Sequence, residues 1–139
     1  MKKTLKRILM IEDEADIRTV ATMALEAVGG FEVQACASGA EALAAAPAAN
    51  ADLVLLDVMM PDMDGPATLE GLRRISATAR TPVIFMTAKV QPREVEAYMA
   101  LGAVGVIPKP FDPMEVSNEI RRIWDGHAEP DAGPSGEGP

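Results

Sequence analysis

Short apolar runs alternate along this chain with longer stretches in which apolar residues recur every three or four positions. Ile8-Leu9-Met10-Ile11 is the first run, and acids follow it at once. From there the apolar positions are Ile17, Val20, Ala21, Ala24, Leu25 and Val28, which form one face of a helix. Gly29-Gly30 closes that helix. Residues 31–36 predict a second strand. Ser38 is placed to cap a short Ala-rich helix that Pro47 is expected to stop. Residues 53–56 predict a third strand that runs into Asp57. Pro66 suits the first turn of a third helix carrying Leu69, Leu72 and Ile75. Residues 83–86 predict a fourth strand. Pro92 opens a fourth helix with Val95, Tyr98, Met99 and Leu101, and Gly102 ends it. Residues 104–107 predict a fifth strand, and Val116, Ile120, Ile123 and Trp124 line a last helix.

Strand and helix thus alternate five times. Strands joined by helical crossovers run parallel, and a parallel sheet is covered on both faces. The expected class is α/β, a doubly wound sheet with helices on both sides, whose ligands sit just beyond the carboxyl ends of the strands. From Gly126 onward the pattern collapses: half of the last fourteen residues are Gly or Pro, and none is Lys or Arg. The reading is one domain over residues 1–125 and a disordered acidic Gly/Pro-rich tail over residues 126–139.

With 139 residues, 48% hydrophobic and 24% charged, the chain suits one domain with one ordinary core. Aromatics are only 4%, so that core is built from aliphatic side chains. A formal charge of -8 argues against direct binding to nucleic acid. The lone cysteine, Cys36, excludes an intrachain disulfide and reads as a packing residue. No apolar run approaches the roughly 18 residues of a membrane span. The basic start, Met1 to Arg7, leads into an apolar run too short for a signal peptide. A soluble cytoplasmic protein is expected.

The candidate chemistry lies at the strand ends. Glu12-Asp13-Glu14 follows the first strand, Asp57 the third, Thr87-Ala88 the fourth and Lys109-Pro110 the fifth. Carboxylates that converge repel one another and tend to hold protons. A hard divalent cation removes that penalty, and Mg²⁺ uses few carboxylates because it keeps several waters. Lys109 adds a fixed cation, Thr87 a hydroxyl and Ala88 an amide donor. Together these groups suit phosphoryl transfer, with a carboxylate nucleophile giving an acyl phosphate. Plainer roles suit other residues. Glu14 reads as a first-turn acid favoured by the helix dipole. Asp62 and Asp64 are rival acceptors on paper, but they read better as turn and helix-cap residues. Met59, Met60 and Met63 read as packing and turn residues, Trp124 as the anchor of the last helix, and His127 as part of the tail.

Four stretches then carry a specific resemblance: Ile11-Glu12-Asp13-Glu14, the run from Leu55 through Asp57 to Gly65, Met86-Thr87-Ala88, and Pro108-Lys109-Pro110-Phe111. Over about residues 6–125 the chain resembles the response regulator receiver domains of two-component systems, most like single-domain chemotaxis regulators. The resemblance implies a flavodoxin-like five-stranded sheet of order 2-1-3-4-5. It implies Asp57 as phospho-acceptor, and Glu12, Asp13, Asp57 and the Met59 carbonyl as the Mg²⁺ set, Glu12 acting mostly through water. Thr87, Ala88 and Lys109 would hold the phosphoryl oxygens, and the peptide before Pro110 would be cis. At the family's switch position, often Tyr or Phe, this chain has Val106, and Pro108 precedes the lysine.

The reading is therefore a phospho-acceptor receiver, not an enzyme beyond assisting its own phosphorylation and dephosphorylation. Its donor would be a histidine kinase or a histidine phosphotransfer protein. Its signal would leave by contact with an unknown protein target through the face of helix four, strand five and helix five, with the chain a monomer or weak homodimer. Three rivals differ in class. A receiver-fold binding module that is never phosphorylated would leave the acid, threonine and lysine set idle. A small aspartyl-phosphate phosphatase would want a substrate pocket. A nucleotide-binding domain would want a Gly-rich turn after the first strand, where Glu-Asp-Glu stands.

Overall fold

The computed structural model describes residues 3–127. Its strands are β1 (Arg7–Ile11), β2 (Glu32–Cys36), β3 (Leu53–Asp57), β4 (Val83–Thr87) and β5 (Gly105–Pro108). Its helices are α1 (Ala15–Met23), α2 (Gly39–Ala49), α3 (Gly65–Arg73), α4 (Pro92–Ala100) and α5 (Val116–His127). The sheet order is β2-β1-β3-β4-β5 and every neighbouring pair is parallel. The chain reverses its direction across the sheet between β1 and β3, so the carboxyl ends of these two strands flank the crevice where such folds bind ligands. Among the described residues, no helix is long and apolar enough to cross a membrane.

The continuous apolar runs fill two cores, one on each side of the sheet. Along β1, Ile8 and Met10 join Leu25, Ile120 and Trp124 beneath α1 and α5. Leu9 and Ile11 join Ala42, Leu69 and Leu72 beneath α2 and α3. The same alternation splits Leu53 and Leu55 from Val54 and Leu56 on β3. A strand buried on both faces has no polar positions to reveal its period. Trp124 anchors α5, as expected, at 7% exposure.

Several boundaries differ from the predicted ones, each for a local reason. Pro47 does not stop α2: the helix continues to Ala49 and ends at Asn50, which takes the left-handed conformation at φ 51°. Proline's fixed φ fits a helix, its ring here lies on the exposed side, and burial of Ala42 and Ala46 holds the segment on the sheet. After α1, residues Ala24–Val28 widen into a π-helical turn in which the Gly29 amide bonds to the Ala24 carbonyl. Gly30, at φ 74°, then turns the chain toward β2. Phe31 precedes β2 yet is buried. Ile75 lies beyond α3, before a 3₁₀ turn over Ser76–Thr78. Gly126 and His127, expected in the tail, are the last residues of α5. The expectation of disorder otherwise concerns residues 128–139, which lie outside the described residues.

The start of α3 brings that helix directly against the end of β3. Asp64 caps it by accepting from the Ala67 amide at 2.9 Å. The Gly65 amide donates to the Val58 carbonyl at 2.8 Å. A β-carbon on Gly65 would lie 2.7 Å from the Asp57 carbonyl oxygen and 2.8 Å from the Val58 Cα. Both are main-chain atoms that a side-chain rotation cannot move. Gly65→Ala is therefore expected to destabilise the domain by about 1–3 kcal/mol, the usual range for overpacking. The measurement is the urea midpoint at constant slope.

Candidate phosphoryl-acceptor and cation site

All the predicted chemical groups sit at the carboxyl edge of the sheet. Glu12 and Asp13 follow β1, Asp57 ends β3, Thr87 ends β4 and Lys109 follows β5. The strand register sets their depth. Asp57 pairs with Met86, and Thr87 with Pro108, so the Lys109 amide donates to the Thr87 carbonyl at 2.9 Å. The Lys109–Pro110 peptide is cis.

Lys109 is the hub of the site. Its Nζ donates to Glu12 Oε1 at 2.9 Å and to Asp57 Oδ1 at 3.2 Å. Both carboxyls are out of water, Glu12 at 0% and Asp57 at 2% exposure. Glu12 Oε2 also accepts from the Glu14 amide at 3.1 Å, and the Glu12 amide donates to the Cys36 carbonyl at 3.0 Å. One oxygen from each of Glu12, Asp13 and Asp57 lies within 4.8 Å of the others. Asp13 Oδ1 is buried and has no hydrogen-bond partner.

Two of the three clustered carboxyl groups thus share one ammonium, and the third has none. Burial, followed by the charge of Glu12, pushes the Asp57 carboxyl up from 3.8 to about 7. The Lys109 charge opposes that rise without cancelling it, and the nearby Asp13 carboxyl adds to it. Burial alone would lower the Lys109 ammonium, but its bonds and charge contacts with Glu12 and Asp57 prevail and hold it above its ordinary value. The edge therefore carries excess negative charge and one buried oxygen without a donor. Such a set fits a hard, oxygen-preferring divalent cation. Glu12, Asp13 and Asp57 are the side chains able to hold it.

The remaining predicted residues fall around this core. Thr87 is buried, and its hydroxyl accepts from the Lys89 amide at 3.0 Å. Ala88 is exposed beside Lys109. Met59 lies two residues past Asp57 with its side chain in solvent at 61% exposure. Asp62, at φ 68°, is an exposed turn residue, and Asp64 is the α3 cap, so neither rival acceptor joins the cluster. Val106, half-buried on β5, pairs with Phe85 on β4. Cys36 is buried at the end of β2, and burial followed by the charge of Glu41 pushes its thiol up to about 11, leaving it unreactive.

Three features went unread in the sequence. The Arg18 guanidinium donates to the main-chain carbonyl of Glu12 at 2.9 Å. Tyr98 on α4 meets Phe85 edge to face, ring centres 5.5 Å apart. Finally, an apolar groove of about 460 Å³ opens beside Lys109, lined by Ile17 and Val20 of α1 and by Pro110 and Phe111. The helical spacing of Ile17 and Val20 is visible in the sequence, but their place on the site side of α1 follows only from the fold.

Residues 8–121 match the family "Response regulator receiver domain". The transcriptional regulatory protein ResD of Bacillus subtilis is 38% identical over 118 residues, covering 84% of this chain and 47% of its own. The chain spans about half the length of that relative and of most curated relatives like it. The chemotaxis response regulator CheY4 of Vibrio cholerae superposes with a TM-score of 0.79 at 32% identity, covering 86% of this chain and 99% of its own. The receiver domain of the sensor histidine kinase PA1611 of Pseudomonas aeruginosa, solved with a magnesium ion coordinated in its active site cleft, gives 0.75 at 26%, covering 88% and 99%.

The raised Asp57 carboxyl has a consequence for stability. In the unfolded chain it ionises near 3.8, and in the metal-free fold only near 7. Its contribution is therefore fully present below about pH 4 and is lost as pH rises to about 7. Asp57→Asn removes the buried charge while keeping the shape. In a metal chelator at pH 8 the variant should be more stable than wild type by about 1–3 kcal/mol. Below pH 4 the gap should close. Denaturant titrations at both pH values measure it, and Mg²⁺ should narrow the gap at pH 8 by stabilising wild type alone.

Proposed function

This chain belongs to the response regulator receiver family, and from that premise we propose that Asp57 is its phospho-acceptor, working with Mg²⁺. One observation carries the reading: Asp57 ends β3 buried, 3.2 Å from the Lys109 ammonium and within a carboxylate set one cation short of balance. A carboxylate oxygen of Asp57 attacks phosphorus, the bond from phosphorus to the donor breaks, and the donor leaves with the bonding pair. For a phosphohistidine donor that bond is P–N, and the released imidazole nitrogen takes up a proton. Lys109 stays charged throughout and is placed to pair with a phosphoryl oxygen. Thr87, at the end of β4, is placed to donate its hydroxyl proton to a second. Bound Mg²⁺ would neutralise charge on the acids and on the incoming group. The magnesium in the PA1611 receiver cleft supports this choice of cation.

The donor is a histidine kinase or a histidine phosphotransfer protein. The groove of Ile17, Val20, Pro110 and Phe111 lies directly beside Lys109 and offers such a partner an apolar seat. Output would leave through α4, β5 and α5 by protein contact. No residue of α4 is buried, and Met99 on it and Val90 and Leu101 flanking it are exposed. An element held so lightly can take two arrangements of similar energy. Val106 has a single stiff torsion and no ring to swing. The signal would instead pass from Thr87 through the segment of Lys89, whose amide the Thr87 hydroxyl now holds.

Incubation with acetyl phosphate and Mg²⁺ tests the acceptor by intact mass. Wild type and Asp62→Asn should each gain one phosphate, and Asp57→Asn none. Label that survives in Asp57→Asn moves the acceptor elsewhere. An unlabelled wild type would favour a binding module, and repeated turnover of a phosphate ester a phosphatase.

The output route has its own test. With a fluoride-based phosphate mimic, hydrogen exchange should change most over residues 87–101. Thr87→Ala should erase that change while Asp57 still labels. A strong response in α1 or α2 with residues 88–101 unchanged would put the output face elsewhere.

A further inference from the structure

Of the three clustered carboxyl groups, Asp13 is the one that Lys109 does not hold. Glu12 is held by Lys109 and by the Glu14 amide, and Asp57 by Lys109. Asp13 Oδ1 is buried without a partner. What aims this carboxyl is therefore chiefly the main chain on either side of it.

The Glu14 amide of that main chain is taken by Glu12 Oε2 at 3.1 Å, and its carbonyls are gripped by one residue. Arg18 lies within the first turns of α1, and its Nη1 donates to the Glu12 carbonyl at 2.9 Å and, more loosely, to the Asp13 carbonyl at 3.4 Å. The first carbonyl belongs to the peptide entering Asp13, the second to the peptide leaving it. Fixing both peptide planes fixes the direction of the Asp13 Cα–Cβ bond. Arg18 is itself steadied, since its amide donates to the Glu14 carbonyl at 2.9 Å and its carbonyl accepts from the Thr22 hydroxyl at 2.8 Å.

We propose that Arg18 is a positioning residue for the cation site, holding the Asp13 carboxyl in its ligating direction through the two flanking peptides. The inference rests on the reading that Glu12, Asp13 and Asp57 hold Mg²⁺. Its distinguishing feature is a sign. A guanidinium near a cation site repels the cation, so Coulomb's law alone makes Mg²⁺ bind more tightly when Arg18 is neutralised. Loss of positioning makes it bind more weakly, and removing groups that orient metal ligands weakens binding by ~10-fold or more.

The test is a Mg²⁺ titration of the full chain at constant ionic strength, followed by amide NMR shifts of residues 12, 13 and 57. Arg18→Met keeps the apolar stem and removes the donors. Its Mg²⁺ midpoint should rise ~10-fold, while its labelling rate from acetyl phosphate should return to the wild-type value at saturating Mg²⁺. Arg18→Lys keeps the charge with a shorter reach, and its midpoint should also rise. It serves as the measurement should Arg18→Met fail to fold. An unchanged or lower midpoint in folded Arg18→Met overturns the proposal, whatever happens to its thermal stability. A wild-type midpoint in Arg18→Lys overturns it as well, since the guanidinium's grip on the two carbonyls would then be dispensable. Failure of the wild-type chain to bind Mg²⁺ or to label would instead strike the underlying phospho-acceptor reading.

Discussion

One ammonium shared among buried carboxyl groups is the constraint around which this molecule is arranged. Lys109 reaches Glu12 and Asp57 at once, and neither acid has water to fall back on. Despite that pairing the cluster stays negative, and burial followed by the charge of Glu12 pushes the Asp57 carboxyl up to about 7. A site left in this condition responds sharply to an arriving cation or anion, because each changes the charge balance in a region that screens poorly. Ion pairs as exposed as those of Lys6 and Arg7 with Glu32 have no such leverage.

The hydrophobic sheet is what makes that imbalance tolerable. Glu12, Asp57 and Thr87 each continue or directly follow a strand whose preceding residues are buried on both faces. Those strands cannot slip by one residue without turning every side chain into the wrong core. The register therefore places the polar ends at one depth, and the Lys109 amide ties β5 to the end of β4. Gly65 lets α3 start against the Asp57 carbonyl, so Asp57 is enclosed from behind by main chain. The cost of burying charge is thus concentrated at one rim, while two apolar layers hold that rim in place.

Most of this was legible in the sequence wherever burial and chain order decide the outcome. Continuous apolar runs alternating with helical periods gave five parallel strands, and the residues after four of them, the first, third, fourth and fifth, marked the candidate site. The pattern was less informative wherever main-chain geometry decides. Pro47 reads as a stop, but it sits on the outside of a helix whose small inner residues, Ala42 and Ala46, pack closely on the sheet. Arg18 reads as an ordinary polar position on α1, because its partners are carbonyl oxygens that every residue has. The Phe85–Tyr98 contact joins β4 to α4 across the fold, and no local spacing announces it. Gly126 and His127 look like the start of a tail, yet the helix anchored by Ile120 and Trp124 carries them along.

The π-helical turn after α1 separates two demands that a regular helix would couple. Upstream, Ile17, Arg18 and Val20 must face the carboxyl edge of the sheet and its groove. Downstream, Leu25 must enter the core, and Gly29 must lie under Ser117 with its carbonyl taken by Arg121. In an unbroken α-helix these two sets would be locked at 100° per residue. A single wide turn resets the phase between them. The half of the helix that meets the carboxyl edge thus takes its direction from that edge, while the half bolted to α5 takes its own from the core.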